Sequence, residues 1–139
     1  MTFMNNYSKN DVILVRYPFS DLSGSKVRPA VIVSASHISE DFFIVPLTSK
    51  TKRLLDGEFV LANWKETGLN VTTAVKRGLY TIKQNLIIKK VGSLSASDAE
   101  KLETSMYNWL GLEKRSISEL KEKNCLDNAN QKDDKKIVD

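Results

Sequence analysis

Short apolar runs separated by polar turns fill most of this chain, and an apolar stripe at helical spacing follows them. Residues 11–19 are rich in β-branched and aromatic side chains and end around Pro18, which cannot donate to a ladder, so a first strand is expected there. Residues 20–26 gather turn-forming side chains into a loop. Two mostly apolar runs, 29–35 and 42–47, flank a polar turn at 36–41 and predict a hairpin of buried strands. A further strand is expected at 58–61, a short irregular or single-turn connection at 63–68, and more β structure at 71–75 and 79–88. The period then changes. Ala99, Leu102, Met106, Trp109 and Leu110 recur at helical spacing, which lays one stripe against a sheet. Ser95 with Asp98, or Ser97 with Glu100, supplies a capping box, Leu94 and Ala99 a hydrophobic staple, and Gly111 a stop. Trp64 and Trp109 are assigned to packing.

Strands first and one helix last predict a mainly β fold with minor α, a small curved sheet or barrel closed by the helix. The 139 residues suffice for one core and leave no room for a second full domain. Residues 1–115 are expected to be that domain, and residues 116–139 a charged tail in which Ile117 and Leu120 extend a helix at most briefly. The apolar and charged fractions, 41% and 27%, are those of an ordinary globular protein, and no apolar run is long enough to cross a bilayer. The first ten residues lack the pattern of a secretory signal, so a cytoplasmic location is expected. The lone Cys125 forms no internal disulfide.

Charge sharpens the picture. The net charge is +4, but the tail holds five lysines against six acids, so sixteen Lys and Arg against eleven acids leave the first 115 residues at +5. A basic body favours a polyanionic partner.

Three segments carry a resemblance. Asn10-Asp11-Val12 opens a strand that leads through a Gly/Ser-rich loop to Lys26-Val-Arg-Pro-Ala-Val-Ile-Val33. Val45-Pro-Leu-Thr-Ser49 follows, and then Gly68-Leu, Val71-Thr-Thr and Lys89-Lys-Val-Gly-Ser-Leu-Ser95. Arg-Pro ahead of an apolar strand and Pro-Leu-Thr-Ser, in that order, form the specific part. Together the segments resemble the MazF/PemK family of type II toxin-antitoxin toxins, over residues 10–112. The resemblance implies an SH3-like barrel of the MazF/PemK/CcdB type that dimerises and is neutralised by a cognate antitoxin. It also implies a sequence-selective endoribonuclease acting on single-stranded RNA without metal or cofactor, and leaving 2′,3′-cyclic phosphate and 5′-hydroxyl ends.

On that resemblance Arg28 and Thr48 are the catalytic candidates. A guanidinium is a permanently charged planar fork that can hold two phosphoryl oxygens as charge develops, and a threonine hydroxyl can donate a hydrogen bond to a nonbridging oxygen or orient the scissile phosphate. Taken alone, an arginine at a strand start is most often merely solvated. Lys50, Lys52 and Arg53 directly after Thr48 are candidates to track the RNA backbone, with Ser49 beside them and Lys83 further on. Lys76 and Arg77 would extend the same surface. Tyr17 and Phe19 are candidates for stacking on splayed bases, with core or rim packing an equal alternative. His37 is the only histidine, which excludes a two-histidine mechanism, and is read as an exposed turn residue. Two departures stand out. Asn10 takes the place of the family's usual Gly, and the loop Ser23-Gly-Ser-Lys26 lacks the Glu that many members carry, so no proton acceptor is assigned. Two other readings compete: a CcdB-like toxin directed at DNA gyrase, and an SH3-like module that binds RNA or protein without cutting.

Overall fold

The computed structural model describes residues 6–17, 26–35 and 41–112. The loop containing Phe19 and Asp21, the turn with His37, and the tail with Ile117, Leu120 and Cys125 lie outside them. In chain order the elements are β1 (Asp11–Tyr17), β2 (Lys26–Ile32), β3 (Asp41–Thr48), α1 (Trp64–Thr67), β4 (Ala74–Val75), β5 (Tyr80–Lys83), β6 (Ile87–Ser93) and α2 (Ala96–Leu110), with a 3₁₀ turn at Gln84–Leu86 between β5 and β6.

The strands form one antiparallel sheet in the order β4-β3-β2-β1-β6. On the outer side of β3, β5 pairs with Asp41 to Ile44 and β4 with Leu47 and Thr48. Alternation of side chains across the pleat gives the sheet two apolar faces. Val12, Val31, Val45, Leu47 and Val75 face α2 and bury its Leu102, with Ala99, Met106 and Trp109 packed beside them. The expected helical stripe is therefore the contact face, and Trp64 joins the same cluster. The opposite face buries Ile13, Val15, Ala30, Ile32, Phe42, Ile44, Ile82 and Ile87, on which Tyr7 and Leu86 pack. No helix among the described residues covers that face, so the sheet must curl until its own strands meet. Each of the Val, Ile and Phe side chains among these contributes about 1.5–3 kcal/mol when fully buried. The curl is barrel-like but the ladder is open: among the described residues nothing pairs β6 with β4 or β5.

Polar anchors fix the ends. Asp11, almost fully buried, accepts from the Ser8 N–H at 2.8 Å and the Ser93 hydroxyl at 3.0 Å, and pairs with Lys90 at 3.3 Å. It thereby ties the start of β1 to β6. Asn10, just before it, has φ 75°, a left-handed conformation that Gly adopts freely and Asn tolerates, so the Asn-for-Gly exchange preserves the turn. Gly92 permits a close crossing, since a Cβ there would collide with the Thr67 carbonyl at the end of α1.

Several element boundaries differ from expectation. The strand expected at 58–61 shrinks to one bridge, Val60 to Ala74, because the Asp98 carboxylate takes the N–H groups of Ala62 (2.9 Å) and Asn63 (3.0 Å) and draws the chain off the ladder. The strand expected at 71–75 keeps only its last two residues, since the Thr73 hydroxyl bonds back to the Val71 carbonyl in a turn. The run 79–88 is interrupted by the 3₁₀ turn that seats Leu86 on the core. β2 starts at Lys26 rather than 29, because the β1 ladder recruits Lys26, Val27 and Arg28, whose exposure hides them from a search for apolar runs. The capping box is half formed: Ser95 Oγ accepts the Asp98 N–H at 3.2 Å, but the Asp98 side chain is spent on residues 62 and 63. Gly111 closes α2 in the left-handed conformation, as expected.

Candidate functional site

Arg28 and Thr48 lie on neighbouring strands. β2 and β3 pair Ala30 with Pro46, Val31 with Val45 and Ile32 with Ile44, and Arg28 and Thr48 each stand two residues beyond the Ala30–Pro46 pair. Residues two apart along a strand point to the same face, so Arg28 and Thr48 share the face of Ala30 and Pro46. That face is the curled one, for Arg28 follows Ala30 and Ile32 in the alternation and Thr48 follows Ile44. The apolar side chains fill the interior, and Arg28 and Thr48 stand where it opens to solvent, the first exposed and the second half-buried.

The hydroxyl of Thr48 is partly engaged. Its Oγ1 accepts the Lys50 N–H at 3.1 Å, which closes a short turn at the strand end. One lone pair serves the turn, and the O–H proton remains available to donate. Ser49, Lys50, Lys52 and Arg53 follow in the exposed loop. On the other side of β3, Thr48 pairs with Ala74, and the Lys76 N–H donates to the Pro46 carbonyl at 2.9 Å. The register thus places exposed Lys76 on the same face as Thr48, and Arg77 comes next. Six cations, Arg28, Lys50, Lys52, Arg53, Lys76 and Arg77, lie on β2 or on the segments that follow β3 and β4. Among the described residues none of them is held in an ion pair with a carboxylate. Unneutralised cations of this kind attract a polyanion.

Not every candidate joins them. Lys83 pairs with Asp41, seven residues along β3 from Thr48 and so roughly 23 Å away at about 3.3 Å per residue. Tyr17 ends β1 opposite Lys26, two residues from the Val15–Arg28 pair, so its backbone adjoins the site. No group of three or more His, Cys, Asp or Glu among the described residues is arranged to hold a metal ion, and no helix among them is long and apolar enough to cross a membrane.

Two residues emerge that the sequence reading missed. Glu58, read only as the start of a strand, accepts the Leu55 N–H and the Arg77 N–H, each at 2.7 Å. No local pattern links residues nineteen apart. Asp98, read as a cap, is the buried staple described above; the signal was its place in the first turn of the helix, but its second duty has no sequence signature.

Comparison with solved structures agrees with this architecture. An endoribonuclease from a Mycobacterial species superposes with TM-score 0.65 at 22% identity, covering 82% of this chain and 100% of that one. A Mycobacterial endoribonuclease in complex with its cognate antitoxin gives TM-score 0.60 at 22% identity over 81% of this chain and 100% of that one. MazE-MazF from Deinococcus radiodurans gives TM-score 0.63 at 13% identity over 77% of this chain and 98% of that one. At such identities the likeness is one of fold. No curated protein sequence matches the chain. The family model of the PemK-like, MazF-like toxins of type II toxin-antitoxin systems matches residues 8–110, from the anchor before β1 to the last turn of α2, and the chain belongs to that family.

Proposed function

We propose that this toxin is a metal-independent, sequence-selective endoribonuclease that cuts single-stranded RNA, chiefly mRNA, and so arrests translation in the cytoplasm until an antitoxin covers the site. The observation that carries the proposal is the position of Arg28 and Thr48, each two residues beyond the Ala30–Pro46 pair on neighbouring strands and on the same face, with cations nearby that form no ion pair among the described residues. The solved neighbours named as endoribonucleases, one of them in complex with its cognate antitoxin, support it.

In this reading the RNA backbone crosses the mouth of the sheet. Arg28 takes two nonbridging oxygens of the scissile phosphate in its fork, and Thr48 donates its hydroxyl proton to one of them. The 2′-oxygen forms a bond to phosphorus and loses its proton to an acceptor that no described residue is assigned to be. The bond from phosphorus to the 5′-oxygen breaks, and that oxygen takes a proton from solvent water as it leaves. The products are a 2′,3′-cyclic phosphate and a 5′-hydroxyl. Lys50, Lys52, Arg53, Lys76 and Arg77 hold flanking phosphates, with Ser49 beside them and Tyr17 and Phe19 offered to the bases. The protein works as a homodimer, for which the exposed Leu79, Leu110 and Leu112 around Met106 supply an apolar face.

Incubation of the purified protein with RNA in EDTA, followed by end mapping, tests the reaction. Fragments whose 5′ ends accept a phosphate from polynucleotide kinase without prior dephosphorylation are expected; 5′-phosphate ends, or intact RNA, would sink the proposal. Thr48→Val keeps the shape and the β-branch but removes the donor. It should lower kcat about a hundredfold with KM little changed, and an unaltered kcat would remove Thr48 from the mechanism.

A further inference from the structure

The basic loop after Thr48 is tied at both of its ends. Downstream it runs into a turn, Leu55 to Glu58, closed by the Glu58 N–H donating to the Leu55 carbonyl at 2.9 Å and by the Leu55 N–H donating to Glu58 Oε1 at 2.7 Å. The second carboxylate oxygen of Glu58 leaves the turn altogether and accepts the Arg77 N–H at 2.7 Å. One side chain therefore links the loop bearing Lys50, Lys52 and Arg53 to the segment bearing Lys76 and Arg77. The turn is seated on α2: Trp109 Nε1 donates to the Asp56 carbonyl at 3.0 Å, and Ser105 Oγ to the Gly57 carbonyl at 2.7 Å. Gly57, at φ 86°, lies so close to the indole that a Cβ would strike Trp109 Nε1. At its upstream end the loop is fixed by the Lys50 N–H on Thr48 Oγ1.

We infer that Glu58 is a positioning residue for RNA binding, a clamp that holds two groups of cations at fixed separation beside the Arg28–Thr48 pair. The inference rests on the proposed RNA-cleaving function. Both oxygens of Glu58 accept backbone N–H groups, so it acts on substrate through the cations and not by taking a proton. Carboxylate-to-N–H bonds are charge-assisted and among the stronger ones. A cradle ordered before RNA arrives avoids the cost of ordering it on binding, so loss of the clamp should fall on affinity and not on the chemical step.

Glu58→Ala removes both acceptors, and Glu58→Gln keeps one. Steady-state cleavage in EDTA should show KM raised about tenfold for Glu58→Ala and about threefold for Glu58→Gln, with kcat at saturating RNA within about twofold of the parent. A second readout does not depend on cleavage. Brief trypsin treatment, with cut sites mapped by mass, should cut after Lys50, Lys52 and Arg53 faster in Glu58→Ala than in the parent. If the parent protein cuts no RNA, the functional proposal fails while the tryptic comparison still decides the clamp. If Glu58→Ala does not fold, the graded Glu58→Gln change decides it in both assays. Unchanged tryptic cutting at the loop, or a fall in kcat with KM untouched, overturns the inference.

Discussion

Replacement of Arg28 by alanine is expected to lower kcat for RNA cleavage by roughly a thousandfold or more, the scale on which removal of a donor to a developing oxyanion acts, with a full charge lost as well. Arg28 is exposed and, among the described residues, unpaired with any carboxylate, so its loss leaves no buried partner stranded and the melting temperature should stay within about 1 °C of the parent. That separation of activity from stability distinguishes a catalytic arginine from a structural one. Arg28→Lys retains the charge but not the planar fork, and should recover only a small part of the rate. An Arg28→Ala protein cutting RNA at the parental rate in EDTA would mean that the placement of Arg28 near Thr48 is incidental.

The largest stability effect should come from Asp98. Its side chain is fully buried and holds the N–H groups of Ala62 and Asn63 while its own N–H bonds to Ser95 Oγ, so one residue joins the start of α2 to the chain that leaves the sheet. Alanine there leaves two N–H groups without partners and removes a negative charge from a helix N-terminus. A cost of about 2–4 kcal/mol follows, which for a domain of this size lowers the melting temperature by roughly 10–20 °C. Asp98→Asn, which keeps one acceptor, should lie between. Thermal melts within about 3 °C of the parent for Asp98→Ala would show that the two N–H groups are satisfied by solvent and that the staple is dispensable.

Elements whose physics is local were legible from sequence. The α2 stripe, the Ser95 cap and the Gly111 stop depend on spacings of a few residues, and each stands where expected. The single turn at Trp64–Thr67 did so too. Where a distant group overrides local preference, the sequence misled: the residues after Glu58 have strand character but are drawn off by Asp98, thirty-five residues on. The site divides in the same way. Arg28 and Thr48 were singled out through motifs, and their shared face follows from a hairpin register that the buried alternation of β2 and β3 enforces. Lys83 was grouped with them on charge alone and stands at the far end of β3. Glu58 stayed hidden because its two partners are backbone groups, which carry no residue-type signature.

Among the described residues the open sheet leaves two borders at which another chain's backbone could attach, and both are defended. On one, a single long strand is replaced by the two-residue β4 and the four-residue β5, too short to template a partner. On the other, the crossing of Thr67 over Gly92 covers one end of β6, and exposed Lys89 and Lys90 occupy the middle. Edges of this kind offer another copy's backbone little to pair with, so the sheet is not built to grow by adding strands at these borders.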